Sequence, residues 1–234
     1  MNLLAHPAAI NLRSLLRRWP LVHRALASVR SLFERGYEDA FAETMLGQIL
    51  PGDCVWDVGA NVGLYTVRFA KLVGSSGRVV AMDPSPACCA ELERLRASSG
   101  EWLSVRQLAL GDRDGEAAFS MAGGDTGVSN HLAHAPQDGG LSVRVARADT
   151  LVAAGERAPN VIKIDVEGFE GEVLQGMDEL LSRPELRAVF IEVHFAQLAK
   201  RGKEMEPVQI VERLRRRGFS ISWLDASHLA GHRA

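Results

Sequence analysis

The stretch that most constrains this chain is VWDVGANVGLYTVRFAKLVGSSGRVVAMDPSP, Val55 to Pro86. An apolar run (Val55, Trp56, Val58) carries Asp57 and turns through Gly59-Ala60-Asn61-Val62-Gly63. It continues into a segment whose apolar face is Val62, Tyr65, Phe69 and Leu72, at helical spacing. A second apolar run, Arg78 to Met82, then delivers Asp83. This is the strand, loop, helix, strand opening of a nucleotide-binding α/β sheet. Gly59 and Gly63 let the backbone approach a ligand closely, and the unbonded N–H groups at the helix start attract an anionic group. A carboxylate just past the second strand can accept hydrogen bonds from both hydroxyls of a ribose, which assigns Asp83 that contact.

The glycine spacing selects among cofactors. A dinucleotide fingerprint needs G-x-G-x-x-G, whereas here Asn61 holds the second glycine position and the run closes at Gly63. The pattern D-x-G-x-N-x-G followed by an acidic-Pro pair is similar to the motif of class I methyltransferases, whose S-adenosylmethionine has a carboxylate and a ribose but no phosphate. Two later segments, LALGDRDGEAAF (Leu108 to Phe119) and NVIKIDVEGFEGEVLQGM (Asn160 to Met177), extend the likeness. Together the three resemble the FkbM family of methyltransferases, across roughly Tyr37 to Gly218, with K-I-D-V-E-G as the specific part. The sequence departs once, having Asp83 where the family usually has Glu.

The resemblance implies a Rossmann-like α/β fold with a mostly parallel sheet, helices on both faces and an inserted β-hairpin. It implies S-adenosylmethionine as cofactor, held by Asp57, Gly59, Asn61, Gly63, Asp83, Gly111, Asp112 and Asp165. Asp112 or its neighbours would meet the adenine at the Leu110-Gly111-Asp112 turn. The implied activity is O-methyl transfer to a hydroxyl of a sugar, glycan or secondary metabolite.

Side-chain alternation brings out the remaining chemistry. Lys163 and Asp165 share one face of the run Asn160 to Asp165, and Glu192 and His194 share one face of Arg187 to His194. Ionisable groups in strands buried on both faces are costly unless paired. If these strands are neighbours, Lys163 falls beside Glu192 and Asp165 beside His194 at the ligand-binding rim. His194 is then the expected base, with Asp165 as its partner, because imidazole titrates nearest neutrality. Asp165, Glu192 and His194 as ligands of a divalent metal are a less favoured arrangement. Glu167 follows at the same rim, where it either joins the site or only complements the dipole of the helix that follows.

A chain of 234 residues accommodates one such domain, and a net charge of −2 gives no reason to expect nucleic acid as a partner. Three cysteines, Cys54, Cys88 and Cys89, have neither zinc nor disulfide spacing, which fits a reducing compartment, and a cytoplasmic protein is expected. No apolar run approaches the ~18 residues of a membrane span. Residues 1–36 read as a basic amphipathic extension, two helices broken at Pro20. They would form a cap, with weak surface association as the second reading, ahead of a methyltransferase domain at 37–234. Trp102 to Leu110 reads as one strand, and Glu116 to Met121 with Leu141 to Ala146 as the hairpin. Its connecting loop holds Ser129, Asn130, His131 and His134 as candidate substrate contacts. One closing strand, Phe219 to Leu224, is visible, and the last ten residues with His228 and His232 are assigned no role. The rival functions are a cofactor-binding protein without turnover and a nicotinamide-dependent dehydrogenase. Oligomeric state and acceptor identity are not encoded in any of these patterns.

Overall fold

A computed structural model describes residues 40–99, 102–120, 131–133 and 141–233. The expected cap at 1–36, Ser129, Asn130 and His134 lie outside the described residues, and His131 is described only as part of a strand. In chain order the elements are β1 (Cys54–Val58), α1 (Leu64–Val73), β2 (Arg78–Asp83), α2 (Pro86–Ser99), β3 (Leu103–Gln107), β4 (Ala109–Leu110), β5 (Gly115–Ser120) and β6 (His131–Ala133). There follow β7 (Leu141–Ala146), α3 (Ala148–Ala153), β8 (Val161–Ile164), α4 (Glu170–Gln175), β9 (Ala188–Glu192), α5 (Phe195–Lys200), α6 (Glu206–Arg216), β10 (Ser220–Trp223) and β11 (His228–His232). Residues 40–46 are also helical.

The main sheet has seven strands in the order β10-β11-β9-β8-β1-β2-β3, parallel except for β10 and β11. Every residue of β1 is buried, and alternation divides it between two cores. Trp56 and Val58 join Ile162, Ile164 and Ile191 on one face, while Val55 joins Val79, Val161 and Phe190 on the other. Two buried faces require helices on both sides, the condition under which parallel strands are stable. The mostly parallel Rossmann-like sheet expected from the sequence is therefore present.

Two elements differ from their sequence-based reading. The run expected as one strand to Leu110 breaks at Leu108: β3 completes the main sheet, and β4 pairs with β7 in a second sheet of order β4-β7-β5-β6. The expected hairpin, β5 with β7, forms the centre of that second sheet. The C-terminal residues, assigned no role, form β11 between β9 and β10, with His228 opposite Glu192. Leu229 and Ala230 are fully buried there, one in each core, so this short tail is held by packing on both faces of the sheet.

Candidate active site

The chain runs from β1 outward to β2 and β3, then returns to the other side of β1 to lay down β8 and β9. At such a reversal the loops after two adjacent strands diverge and leave a crevice at the carboxyl ends. Here those loops are Gly59 to Gly63 after β1 and Asp165 to Gly168 after β8. Gly59, at φ 77°, comes so close to the second loop that a β-carbon would lie 1.8 Å from the Asp165 carbonyl oxygen. Both Gly59 and Ala60 donate their N–H to the Met82 carbonyl, tying the loop to the end of β2.

The crevice is walled by Gly59, Asn61, Asp83, Ser85, Leu108 to Leu110, Phe119, Asp165 and Glu167. Asp83 sits where the sequence reading put it. Its Oδ2 accepts from the Asn61 N–H at 2.9 Å and its Oδ1 from the Ser85 N–H at 2.8 Å. Burial raises its pKa against those two hydrogen bonds. Each oxygen keeps a lone pair for a further donor. Asn61 adopts φ 50°, a left-handed conformation that asparagine tolerates, and this aims its N–H at Asp83.

Four of the expected cofactor residues are not on that wall. Asp57 is fully buried beneath it, where Oδ2 accepts from the Thr66 hydroxyl at 2.6 Å. Gly63 precedes α1 and packs against Leu92 and Leu95. The wall stops at Leu110, short of Gly111 and Asp112, and the Asp112 carbonyl accepts instead from Arg147.

The expected inner pair of Lys163 with Glu192 is corrected by the register. Lys163 stands opposite Phe190 on β9 and opposite Asp57 on β1. Its ammonium lies 3.2 Å from Asp165 Oδ2 and 3.6 Å from Asp57 Oδ1, under the Tyr65 ring. It is 4% exposed. Burial alone would depress its pKa, but Asp165 and Asp57 reverse the sign and raise it.

Asp165 and His194 do meet at the rim, within a larger cluster. His194 Nε2 lies 3.6 Å from Asp165 Oδ1, 3.5 Å from Glu167 Oε1 and 3.9 Å from Glu192 Oε1. Its Nδ1 is 2.8 Å from Oε1 of the fully buried Glu170. Burial lowers the pKa of His194, but the bond to Glu170 and the charges of Glu170, Asp165 and Glu167 outweigh it and hold the value at about 10. The surrounding carboxylates thus favour the protonated imidazole over the neutral form that its residue type suggests. Glu167 is pushed up to about 7 by burial and by Asp165, Glu192 and Glu170, against His194. It has φ 53°, uncommon for a non-glycine residue, and its Oε2 accepts from Gln197 Nε2 at 2.9 Å. Glu167 thus lies on the crevice wall and in the cluster around His194, the first of the two placements open to it from sequence.

Glu170 and His228 were missed. Glu170 sits three residues beyond Glu167 in EGFE, a spacing that sequence alone reads as a first helical turn. His228 lay in a tail with no visible strand pattern. It is held by Asp225 Oδ2 at 2.5 Å from Nδ1 and lies 3.5 Å from Glu192 Oε2, with its ring 4.1 Å from that of Phe41. Burial lowers its pKa, while Asp225 and Glu192 raise it to about 9.

The same architecture occurs in solved structures. An FkbM methyltransferase from Methylobacillus flagellatus superposes with a TM-score of 0.54 at 15% identity, covering 82% of this chain and 50% of that one. SMU.1697c from Streptococcus mutans, crystallised in complex with SAH, gives 0.50 at 10% identity over 82% of this chain and 95% of that chain. In sequence, the chain is 31% identical over 162 residues to the hexuronic acid methyltransferase AglP of Haloferax volcanii, covering 68% of this chain and 63% of AglP. It is 29% identical over 204 residues to the 31-O-demethyl-FK506 methyltransferase FkbM of Streptomyces tacrolimicus, covering 74% of this chain and 75% of that protein. A family model, the methyltransferase FkbM domain, matches residues 57–221, a span from Asp57 in β1 to Ile221 in β10 that contains the crevice, the rim and both loops. The chain thus belongs to the FkbM methyltransferase family.

Proposed function

We propose that this protein transfers a methyl group from S-adenosylmethionine to a hydroxyl oxygen of a sugar, glycan or secondary metabolite. The carrying observation is that Asp165 and Glu167 belong both to the crevice wall and to the rim cluster around His194. A cofactor whose ribose is held by Asp83 would thereby present its reactive end to the rim. The acceptor oxygen attacks the methyl carbon as the carbon–sulfur bond breaks, and its proton leaves to the carboxylates of the rim. The sulfonium already supplies the activated carbon, so the protein's part is alignment and proton removal. His194 acts as a charged donor that orients the acceptor and the carboxylates. Of the two named relatives, the 31-O-demethyl-FK506 methyltransferase supports an oxygen acceptor and the hexuronic acid methyltransferase a sugar substrate.

Titration with S-adenosylhomocysteine should show micromolar binding, with none for NAD. Incubation with S-adenosylmethionine and a panel beginning with uronic acids should yield a methyl ether detected by mass. His194→Ala should keep the cofactor affinity and lose turnover by at least ~100-fold. Binding of NAD in place of S-adenosylhomocysteine, or full turnover in His194→Ala, would refute this assignment.

A further inference from the structure

The rim is part of a network with more carboxylates than its bases balance. Among the described residues, Asp57, Asp165, Glu167, Glu170, Glu192 and Asp225 are linked within 4 Å to three bases, Lys163, His194 and His228. Lys163 is shared between Asp57 and Asp165, and His228 between Glu192 and Asp225, so each divides its charge between two carboxylates. Partly buried charge of one sign is costly and calls for a counter-ion.

The rim atoms have the arrangement of ligands more than of hydrogen-bonded partners. One ligand atom each of Asp165, Glu167 and His194 lies within 4.8 Å of the other two. His194 Nε2 stands 3.5 and 3.6 Å from Glu167 and Asp165, too far for a good hydrogen bond. A cation with ligand distances of about 2.1 Å places adjacent ligands about 3 Å apart, so each of the two His194 contacts closes by roughly half an ångström around it. Glu170 supplies a second, separate indication. Buried completely, it fixes His194 through Nδ1, the carboxylate partner typical of a metal-ligating imidazole, and leaves Nε2 directed at the rim. Its other oxygen, Oε2, is buried with no hydrogen-bond partner.

We propose that Asp165, Glu167 and His194 bind a divalent cation of the Mg2+ or Mn2+ class, which displaces the Nε2 proton of His194 to solvent, with Glu170 orienting the histidine through Nδ1. Two carboxylates and one imidazole are mainly oxygen ligands, and the open side toward the crevice leaves positions for water or for an acceptor hydroxyl. The structure thereby replaces Glu192 in the ligand set that sequence alone suggests. The cation would lower the pKa of a coordinated hydroxyl. That consequence rests on the methyl-transfer reading, whereas the binding itself does not.

The test is titration of the chelator-stripped full chain with MnCl2, read as loss of the free Mn2+ signal in electron paramagnetic resonance. One equivalent should bind, with electron spin-echo modulation from a single imidazole nitrogen. Glu167→Gln, which can still accept the hydrogen bond of Gln197, should weaken binding tenfold or more. Glu170→Gln should weaken it by roughly 10- to 100-fold, the range for the partner of a ligating histidine. Absence of bound Mn2+, absence of nitrogen modulation in the wild type, or wild-type affinity in both variants would overturn the proposal. S-adenosylhomocysteine titrated into the same metal-free protein separates the two readings. Its binding without Mn2+ binding removes the cation and leaves the methyltransferase, and the reverse result removes the cofactor assignment alone.

Discussion

Replacing Lys163 by Met should destabilise the protein far more than an ordinary surface charge deletion. Asp57 is fully buried, its Oδ2 satisfied by Thr66, while its Oδ1 has no hydrogen-bond partner among the described residues and lies 3.6 Å from the Lys163 ammonium. At an effective dielectric constant of 20 that separation corresponds to about 5 kcal/mol of attraction. Most of this offsets the desolvation of the pair. Removing one partner exposes the penalty, and breaking buried pairs costs about 3 to 5 kcal/mol. Urea denaturation should therefore show Lys163→Met losing that amount with little change in slope. The Asp57→Asn/Lys163→Met double variant removes the stranded charge and keeps an acceptor for Thr66. It should recover more than half the loss, with a coupling of about 2 kcal/mol or more. A single-variant loss under about 1 kcal/mol, or losses that add within about 0.5 kcal/mol, would refute the view that Lys163 compensates Asp57.

Gly59→Ala should cost about 3 kcal/mol or more in the same assay, because its β-carbon would collide with the backbone of Asp165, whereas Gly74→Ala, equally left-handed but with open space around it, should cost only about 1 to 2 kcal/mol. Similar losses at the two sites would show that the loops after β1 and β8 are not in contact. Asp83→Ala should weaken S-adenosylhomocysteine binding by about 1 to 3 kcal/mol, and unchanged affinity by calorimetry would remove Asp83 from the ribose. His228 is held at about 9 by Asp225 and Glu192, so its contribution is complete below the unfolded value near 6.5 and is lost as pH rises through 9. Stability should decline over that window by up to about 3 kcal/mol, and His228→Gln should flatten the decline; an unchanged slope in the variant would place the titration elsewhere.

The local motifs were legible because they depend on short-range geometry. The spacing of Gly59, Asn61 and Gly63, the apolar runs around Asp57 and before Asp83, and the K-I-D-V-E-G segment together identified the sheet opening, the crevice and the family from residue order alone. Alternation along two runs also brought Asp165 and His194 to one rim. These signals survive in sequence because a strand has period two and a tight turn needs particular residues at particular offsets.

What depends on contacts between distant segments was settled only by the tertiary structure. Register between β8 and β9 gave Lys163 to Asp57 and Asp165 instead of to Glu192, a choice that a shift of two residues would reverse. The break at Leu108 divides one apolar run between two sheets, and β11 becomes a strand through its neighbours β9 and β10, not through its own pattern. The charge state of His194 shows the same division. Residue type alone makes it a near-neutral base, but four carboxylates, three from the stretch Asp165 to Glu170 and one from β9, gather around one buried ring and favour its protonated form. Electrostatic environment is a sum over spatial neighbours, and residue order does not list them.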